Sequence, residues 1–239
     1  MRNGVRVAVV VPARNEARLL GRTLTTMPGF VDHVVVIDDA SDDGTAQVAE
    51  ALDDARIDVL RHPRRRGVGG AIVTGYAHAF AAGADVAAVM AGDAQMDPDD
   101  LAHVVDPVAR GEADYCKGDR LSHPDAGRVM PRHRRLANHA FSRLTRLATG
   151  LPVQDSQCGY TAISRHAAES VRTENMWPGY GYPNDLLGML ARTGLRVHQV
   201  TVRPIYGDET SGLRLHHGLV VVPWVLARAG ARRVARALR

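Results

Sequence analysis

Short apolar runs alternate with segments of helical periodicity through the first half of the chain, and this alternation limits the possible folds more than any other feature. The runs are rich in valine and isoleucine and lie at Val5–Val11, Val34–Ile37, Ile57–Leu60 and Val86–Met90. Between them, apolar residues recur about every 3.6 positions, which predicts helices at Glu16–Met27, Asp43–Leu52 and Gly67–Ala82. Continuous apolar strands separated by helices are typical of a mostly parallel sheet covered on both faces. We therefore expect an α/β fold.

The second half of the chain is less regular. Asp97–Asp100 predicts the start of another helix, because Pro98 suits the first helical position. Leu121–Met130 and Gly207–His217 are rich in loop-forming residues and predict loops. The remaining predicted elements are strands at Ala113–Lys117, Gly159–Ser164 and Arg196–Val202, and a helix at Asn184–Arg192.

A longer helix is predicted at Pro131–Thr149. Its sequence is amphipathic, with Phe141, Leu144 and Leu147 on its apolar side. Gly150 follows at the position that favours a left-handed residue, which predicts the C-terminal cap.

The composition is that of one globular domain. The chain has 239 residues, of which 45% are hydrophobic and 23% are charged, which argues against a disordered or fibrous protein. Two cysteines, Cys116 and Cys158, exclude a disulfide scaffold and a four-thiolate zinc site. No apolar run reaches about 18 residues, and the first residues do not resemble a signal peptide. We therefore expect a cytoplasmic protein.

The charge balance favours anionic partners. The formal net charge is +4 and the isoelectric point is about 9.4. Nucleotides, phosphorylated substrates and acidic membrane surfaces suit such a protein. Aromatic residues make up only 5% of the chain, and no nucleic-acid-binding motif is present, so we expect no nucleic-acid partner.

Three polar clusters each follow a predicted strand, at Pro12–Glu16, Asp38–Thr45 and Gly92–Pro98. In an open α/β sheet, ligands bind outside the carboxyl ends of the strands, so these clusters should share one edge. A carboxylate after the second strand can accept hydrogen bonds from a base or a ribose. A carboxylate after the fourth strand can hold a hard divalent cation that also contacts phosphate oxygens. The arrangement predicts a site for a nucleoside diphosphate.

The glycine-rich segment GVGGA, at Gly67–Ala71, opens the third predicted helix. It fits two interpretations equally well. The glycines could let backbone approach a ligand, or they could let the helix pack closely on neighbouring structure.

The segments VVVPARNEARLL, VVVIDDASDDGT, GVGGA and GDAQMDPDDL, in this order, resemble the inverting family 2 glycosyltransferases of the GT-A fold. The resemblance is closest to the branch that contains dolichol-phosphate mannose synthase and bacterial polyprenyl-phosphate glycosyltransferases. It implies a single GT-A domain, Rossmann-like and nucleotide-binding, with a mostly parallel central sheet flanked by helices. We expect this domain to span residues 1–218, followed by a basic amphipathic helix at 219–239.

The resemblance also implies a donor site and a metal. Asp93 matches the second Asp of the family's DxD motif and Gln95 lies two positions on, so these two residues would hold Mg²⁺ or Mn²⁺. Ala91 stands where the first Asp is expected, which leaves one carboxylate fewer for the ion. Asp97 is a further candidate ligand, although it also suits the cap of the next helix. The residues implied to bind the nucleotide sugar are Pro12, Ala13, Arg14, Glu16, Asp38, Asp39, Gly69, Gly92 and Asp93.

On the acceptor side, the resemblance implies a role for Asp155, with Asp185 as the rival carboxylate. Asp155 could instead be a helix cap or a buried structural residue, and Asp185 could cap the helix that begins there. If the acceptor is a hydroxyl, the carboxylate would take its proton. If the acceptor is a phosphate, which is already anionic, the carboxylate would orient it or support the cationic sugar. Arg120 could pair with the acceptor phosphate or form an ordinary surface salt bridge. Ser211 would also contact the phosphate.

The last twenty or so residues combine an arginine stripe, at Arg228, Arg232, Arg236 and Arg239, with an apolar stripe that includes Trp224. Such a helix can lie in a membrane interface, or it can be a solvated helix packed on the domain. The expected function is transfer of a sugar from a nucleotide-diphosphate sugar to a polyprenyl phosphate at the inner face of the cell membrane. The alternatives are transfer to a soluble or polysaccharide acceptor, and binding of a nucleotide sugar without turnover.

Overall fold

The computed structural model describes residues 1–207 and 220–237. Within these ranges the chain forms a seven-stranded sheet with helices on both faces, which confirms the α/β prediction. The strands are β1 (Val7–Ala13), β2 (His33–Asp38), β3 (Ile57–Arg61), β4 (Val86–Val89), β5 (Tyr115–Asp119), β6 (Thr161–Ser164) and β7 (Val197–Thr201). The helices are α1 (Leu20–Thr25), α2 (Thr45–Glu50), α3 (Val68–Ala81), α4 (Leu101–Ala109), α5 (Ala126–Val129), α6 (Arg132–Thr149), α7 (Arg165–Val171), α8 (Tyr182–Leu190) and α9 (Val222–Ala237).

The strand order is β3-β2-β1-β4-β6-β5-β7. Strands β1 to β4 pair in parallel, and so do β5 and β7, whereas β6 runs antiparallel to both β4 and β5. The sheet is therefore mostly parallel, as predicted. The carboxyl ends of β1, β2 and β4 meet at one edge, because Ala13 pairs with Asp38 and Val10 pairs with Val89.

Alternate side chains of the strands enter two separate cores. Val9 and Val11 pack on one side of the sheet with residues of α1, α2 and α4. Val10 packs on the other side with residues of α3, α7 and α8. Burial on both faces explains why these strands are continuous apolar runs in the sequence.

Helix α1 begins four residues later than the helix predicted from Glu16. Glu16 N donates to Thr45 Oγ1 at 2.9 Å, and Ala17 N donates to Asp43 Oδ2 at 3.1 Å. These amides are bonded to the loop after β2, so the segment forms a turn before the helix. The predicted loop at Leu121–Met130 also contains a short helix, α5.

Helix α6 confirms the long helix predicted in the second half, with Gly150 as its left-handed cap. Its orientation differs from that of an ordinary amphipathic helix. The residues turned inward are Ser142, Thr145 and Thr149. The hydroxyls have partners there, since Ser156 N donates to Ser142 Oγ at 2.9 Å and Thr145 Oγ1 donates to Asn184 Oδ1 at 2.8 Å.

Helix α9 confirms the C-terminal helix and packs against α6 and α8. Val225 and Ala229 are buried in this contact, and Trp224 stacks beside Trp177 with ring centroids 5.3 Å apart. Arg228, predicted on the outer arginine stripe, instead donates to Asp185. In the part of the chain that the structure describes, no helix has the length and apolar character needed to cross a bilayer.

Candidate donor cleft

A cleft of about 220 Å³ opens at the carboxyl edge of β1, β2 and β4. This is the edge on which the sequence places its three polar clusters. The lining residues are Pro12, Ala13, Arg14, Glu16, Asp39, Arg65, Gly67, Val68, Ala71, Ala91, Gly92, Asp93, Gly179 and Tyr180. Seven of the nine predicted donor-site residues therefore share one cavity, and Asp38 and Gly69 do not line it.

The loops after β1 and β2 are bound to each other by side-chain hydrogen bonds. Asn15 N donates to Ser41 Oγ at 3.0 Å, and Asp42 N donates to Asn15 Oδ1 at 2.9 Å. The carboxylate of Asp38 lies beneath these loops and accepts a hydrogen bond from Ser41 N at 2.9 Å. Asp38 therefore shapes the loop rather than the cavity wall.

Each of the three loops at this edge contains a non-glycine residue in the left-handed region. These residues are Asn15, Ala40 and Ala94, with φ of 56°, 57° and 56°. A left-handed alanine costs about 1–2 kcal/mol. The surrounding hydrogen bonds hold the backbone in this conformation, which is a frequent property of ligand-binding loops.

The carboxylate of Asp39 organises the loop that precedes α3. Its Oδ1 lies 2.8 Å from His62 Nδ1 and accepts a hydrogen bond from Arg66 N at 2.7 Å. Its Oδ2 accepts a hydrogen bond from Gly67 N at 2.7 Å, and His62 Nε2 lies 3.0 Å from Thr74 Oγ1. Burial alone would raise the pKa of Asp39, but these hydrogen bonds outweigh it and lower the pKa. Oδ2 retains one lone pair with which it can accept a hydrogen bond from a ligand.

The glycines of the GVGGA segment let another part of the chain approach α3. A Cβ on Gly69 would lie 2.1 Å from Trp177 O, and one on Gly67 would lie 2.5 Å from Pro178 O. Gly70 N donates to Pro178 O at 3.0 Å. The close-packing interpretation therefore applies to Gly69, whereas Gly67, at φ 84°, also lines the cleft.

This close approach brings Gly179 and Tyr180 into the cleft wall, which sequence reasoning missed. Nothing in the local pattern around Tyr180 marks it, since its position depends on contacts with a helix about a hundred residues earlier. Arg65, also missed, belongs to a run of three arginines directly before the glycine-rich segment, and that run was a usable signal for an anionic ligand.

Glu16 and Asp93 face the same cavity. Burial, together with the negative charges of Asp93 and Asp43, raises the pKa of Glu16 to about 7. Two carboxylates with Arg14 and Arg65 nearby suit a cation bridged to phosphates, because Mg²⁺ takes one or two carboxylates and completes its shell with phosphate and water. The residues therefore fit such an ion. In the described part of the chain, no third metal-ligating side chain joins these two.

Two further predicted metal ligands have other contacts. Gln95 Nε2 points towards Ile205 O at 3.5 Å, and Gln95 does not line the cleft. Asp97 caps the short helix at Pro98–Asp100 by accepting from Asp99 N at 3.0 Å, and it pairs with Arg203 at 2.6 Å. The capping interpretation of Asp97 is therefore confirmed.

The two acceptor-side residues predicted separately, Asp155 and Arg120, are partners. Arg120 Nε donates to Asp155 Oδ2 at 2.8 Å and Nη2 donates to Oδ1 at 3.1 Å. Asp155 is fully buried. Burial alone would raise the pKa of Asp155, but the charge and hydrogen bonds of Arg120 outweigh it and lower the pKa. Neither residue lines the donor cleft.

Asp185, the rival carboxylate, also lies outside the donor cleft. It is buried in the first turn of α8, where Oδ2 accepts from Trp177 N at 2.8 Å and Oδ1 accepts from Arg228. These contacts connect α9 to the segment beside the cleft. Ser211, the second predicted phosphate contact, lies outside the described residues.

Comparison with known proteins identifies the family. Residues 8–172 match the profile of glycosyl transferase family 2. The undecaprenyl-phosphate mannosyltransferase of Micrococcus luteus is 30% identical over 235 residues, which cover 93% of this chain and 95% of that protein. The UDP-N-acetylglucosamine–dolichyl-phosphate N-acetylglucosaminyltransferase of Methanococcus voltae is 26% identical over 217 residues, covering 84% and 86%.

A solved structure with the same fold is glucosyl-3-phosphoglycerate synthase from Mycobacterium tuberculosis, in complex with Mn²⁺, UDP and glucosyl-3-phosphoglycerate. Its TM-score is 0.72 at 22% sequence identity, covering 95% of this chain and 81% of that one. The likeness agrees with the GT-A fold expected from the sequence. The profile match over most of the chain shows that this protein is a member of glycosyl transferase family 2.

Proposed function

We propose that the protein transfers a sugar from a nucleotide-diphosphate sugar to a polyprenyl phosphate, with inversion at the anomeric carbon. Membership of the family supports the transfer, and two similar proteins are named for lipid-phosphate acceptors. The donor cleft combines carboxylates for a nucleoside and a cation with Arg14 and Arg65 for a diphosphate.

The observation that carries the lipid acceptor is the outward leucine face of α6. Leu136, Leu144 and Leu147 are 73%, 46% and 71% exposed and lie on one stripe of the helix. The helix contains five arginines, two histidines and no acidic residue. A basic helix with an exposed apolar stripe is the pattern of a helix that lies in an anionic membrane surface.

Helix α6 also contacts the segment that contains Asp155. Ser142 on its inner side accepts the hydrogen bond from Ser156 N, next to Asp155 in sequence. One side of the helix would thus meet lipid while the other holds the acceptor-side backbone. Exposed Trp224 on α9, which packs against α6, extends the same surface. We therefore place the protein on the cytoplasmic face of the membrane as a peripheral enzyme.

The ionised state of the Asp155 carboxylate favours a phosphate acceptor over a hydroxyl acceptor. A general base works best with a pKa near the operating pH, and the pKa of Asp155 is lowered by Arg120. A phosphate oxygen needs no base, because it is already anionic. It attacks the anomeric carbon from the face opposite the diphosphate, the carbon–oxygen bond to the diphosphate breaks, and the nucleoside diphosphate leaves.

Asp93, with Glu16 beside it, would hold Mg²⁺ or Mn²⁺ together with the diphosphate. The bound cation offsets the charge of the diphosphate and stabilises it as a leaving group. The Mn²⁺ and UDP found in glucosyl-3-phosphoglycerate synthase are consistent with this assignment. Asp39 Oδ2 would accept a hydrogen bond from the nucleoside.

The test measures liposome binding and sugar transfer with the same variants. Replacing both Leu144 and Leu147 by Ser should weaken binding to anionic liposomes and slow transfer to a polyprenyl phosphate embedded in them. Donor hydrolysis should not change, because the leucines lie away from the cleft. Arg143→Glu should reduce binding in a salt-dependent way, whereas the matched charge reversal at exposed Arg22 on α1 should not.

Two results would contradict the proposal. One is liposome binding and transfer that are unaffected by the leucine replacements. The other is efficient transfer to a water-soluble acceptor combined with no transfer to any polyprenyl phosphate. That second result would favour the soluble-acceptor alternative.

A further inference from the structure

A second group of metal-ligating side chains lies far from the donor cleft. His33 is the first residue of β2, Asp58 is the second residue of β3 and His78 lies in the last turn of α3. Strand β2 begins at His33 and ends at Asp38, next to Asp39 of the cleft. The group therefore lies at the opposite end of the sheet.

The three side chains converge on a single point. His33 Nε2 and His78 Nε2 each lie 2.8 Å from the same atom, Asp58 Oδ2. The two imidazole rings are 5.6 Å apart at their centroids and are tilted by 47°. One ligand atom from each of the three residues lies within 4.8 Å of the other two. The two imidazole nitrogens and the carboxylate oxygen are thus close enough together to bind one ion.

Three different elements hold these residues. Strands β2 and β3 are hydrogen-bonded in parallel, with Val35 opposite Asp58. Helix α3 is anchored over the sheet, since a Cβ on Gly75 would lie 2.2 Å from Val10 Cγ1. A site assembled from regular elements keeps its geometry without the ion, which lowers the cost of binding. All three side chains are partly exposed, so an ion can reach them.

We propose that His33, Asp58 and His78 form a binding site for a transition-metal dication, with Zn²⁺ as the preferred ion and water in the remaining position. Zinc bonds of about 2.0–2.2 Å place ligand atoms roughly 3.3 Å apart in a tetrahedral shell. The observed N–O distances of 2.8 Å need only a small outward shift. Two imidazoles with one carboxylate favour zinc or nickel over magnesium, which prefers oxygen ligands.

The site is chemically distinct from the donor cleft. The cleft offers carboxylates and would bind its cation together with phosphates, whereas this group offers two nitrogen ligands and one carboxylate oxygen. Strand β3 is at the end of the strand order, so the ion would connect an edge strand and the end of α3 to β2. Binding to the folded chain alone should stabilise it.

The test uses the full chain without a histidine tag, stripped of metal with EDTA. Calorimetry with Zn²⁺ should show one ion bound per chain, and the thermal midpoint should rise with Zn²⁺ concentration. His33→Ala, His78→Ala and Asp58→Asn should each weaken binding by more than about tenfold, the scale that even outer partners of a metal reach. Co²⁺ should give the visible absorption of a four-coordinate site in the unaltered chain and not in these three variants.

Two matched variants separate this site from other metal binding. The first variant, His103→Ala, removes an exposed histidine whose ring lies 3.7 Å from Asp100. This variant should bind Zn²⁺ normally. Asp93→Asn should also bind Zn²⁺ normally, because the cleft is a separate site. Absence of binding at about 100 µM Zn²⁺, or equal binding by all three ligand variants, would overturn the proposal. Circular dichroism of each variant shows that its fold is retained.

Discussion

Arg120 donates two hydrogen bonds to the buried carboxylate of Asp155, from Nε to Oδ2 at 2.8 Å and from Nη2 to Oδ1 at 3.1 Å. The pair joins the residue after β5 to a segment that α6 holds through Ser156. Lys117, also buried, donates to Cys158 O in the same region. Arg120, Asp155 and Lys117 therefore form a largely buried charged group, and none of the three lines the cleft.

Arg120→Ala should destabilise the fold by about 3–5 kcal/mol, because it leaves a buried carboxylate without its partner. Denaturant unfolding measures the change. The control is Arg128→Ala, since Arg128 forms an exposed pair with Asp125, and exposed pairs contribute about 0–1 kcal/mol. A similar small loss in both variants would show that the buried pair does not stabilise the fold.

The same pair predicts an acid-dependent loss of stability. The pKa of Asp155 is lower in the folded protein than in the unfolded chain. Its stabilising contribution is therefore complete above the unfolded pKa, about 3.9, and is lost as the pH falls through the folded value. The stability difference between the unaltered protein and Arg120→Ala should shrink as the pH falls below 4. A difference independent of pH would contradict the ionised state of Asp155.

Glu16 predicts the opposite pH dependence. Its pKa is raised to about 7, from a usual 4.5. The folded protein then binds more protons than the unfolded chain between these values, so stability should fall as the pH rises through this window. Glu16→Gln should remove this dependence, and Glu169→Gln, at an exposed position on α7, should not. Denaturant unfolding at pH 5 and pH 8 compares the variants.

A cation in the cleft should displace the proton of Glu16. Mn²⁺ and UDP should therefore bind more tightly at pH 8 than at pH 6, with release of a proton. Calorimetry in buffers of different ionisation enthalpy counts that proton. Equal affinity for Mn²⁺ and UDP at both pH values in the unaltered protein would show that Glu16 does not bind the metal.

Asp93→Asn should reduce sugar transfer by about 10²-fold or more, the scale of losing a group that stabilises developing charge. The fold should be intact, because Asp93 lies in a loop at the cleft, where its Oδ1 accepts a hydrogen bond from Gln95 N at 3.1 Å. The amide oxygen of an asparagine can accept the same bond. Asp99→Asn, at an exposed position nearby, is the matched control. If EDTA and Asp93→Asn both leave the rate unchanged, the metal assignment is wrong.

Gly69→Ala tests the wall of the cleft. The new Cβ would lie 2.1 Å from Trp177 O, so the segment that carries Tyr180 must move. We expect a loss of about 1–3 kcal/mol of stability and weaker UDP binding, with a changed Trp177 fluorescence. Gly29→Ala is the control, because a Cβ there meets no atom within 4 Å. Normal UDP binding by Gly69→Ala would show that the wall does not depend on this contact.

The local pattern of apolar runs and polar clusters was enough to predict the sheet and the position of the donor cleft. Strands β1, β2 and β4 are buried on both faces, so they appear as continuous apolar runs, and the polar residues after them must reach one edge. The same logic placed the loops of Glu16, Asp39 and Asp93 at this edge, and the family resemblance then singled out these three residues. It could not separate Asp39 from Asp38, because the two differ only in which donors each meets after folding.

The order of the seven strands along the chain, the edge of the sheet where the cleft opens and the family could be predicted from the sequence, since each depends on residues close together in the chain. The folded structure was needed to show that Arg120 pairs with Asp155, that Tyr180 lines the cleft, that α6 turns its leucines outward and that His33, Asp58 and His78 converge. The physical reason is that burial of a charge or a hydroxyl depends on partners distant in sequence. Ser142 and Thr145 face inward because Ser156 and Asn184 satisfy their hydroxyls there, and the leucines of the same helix are left on the surface.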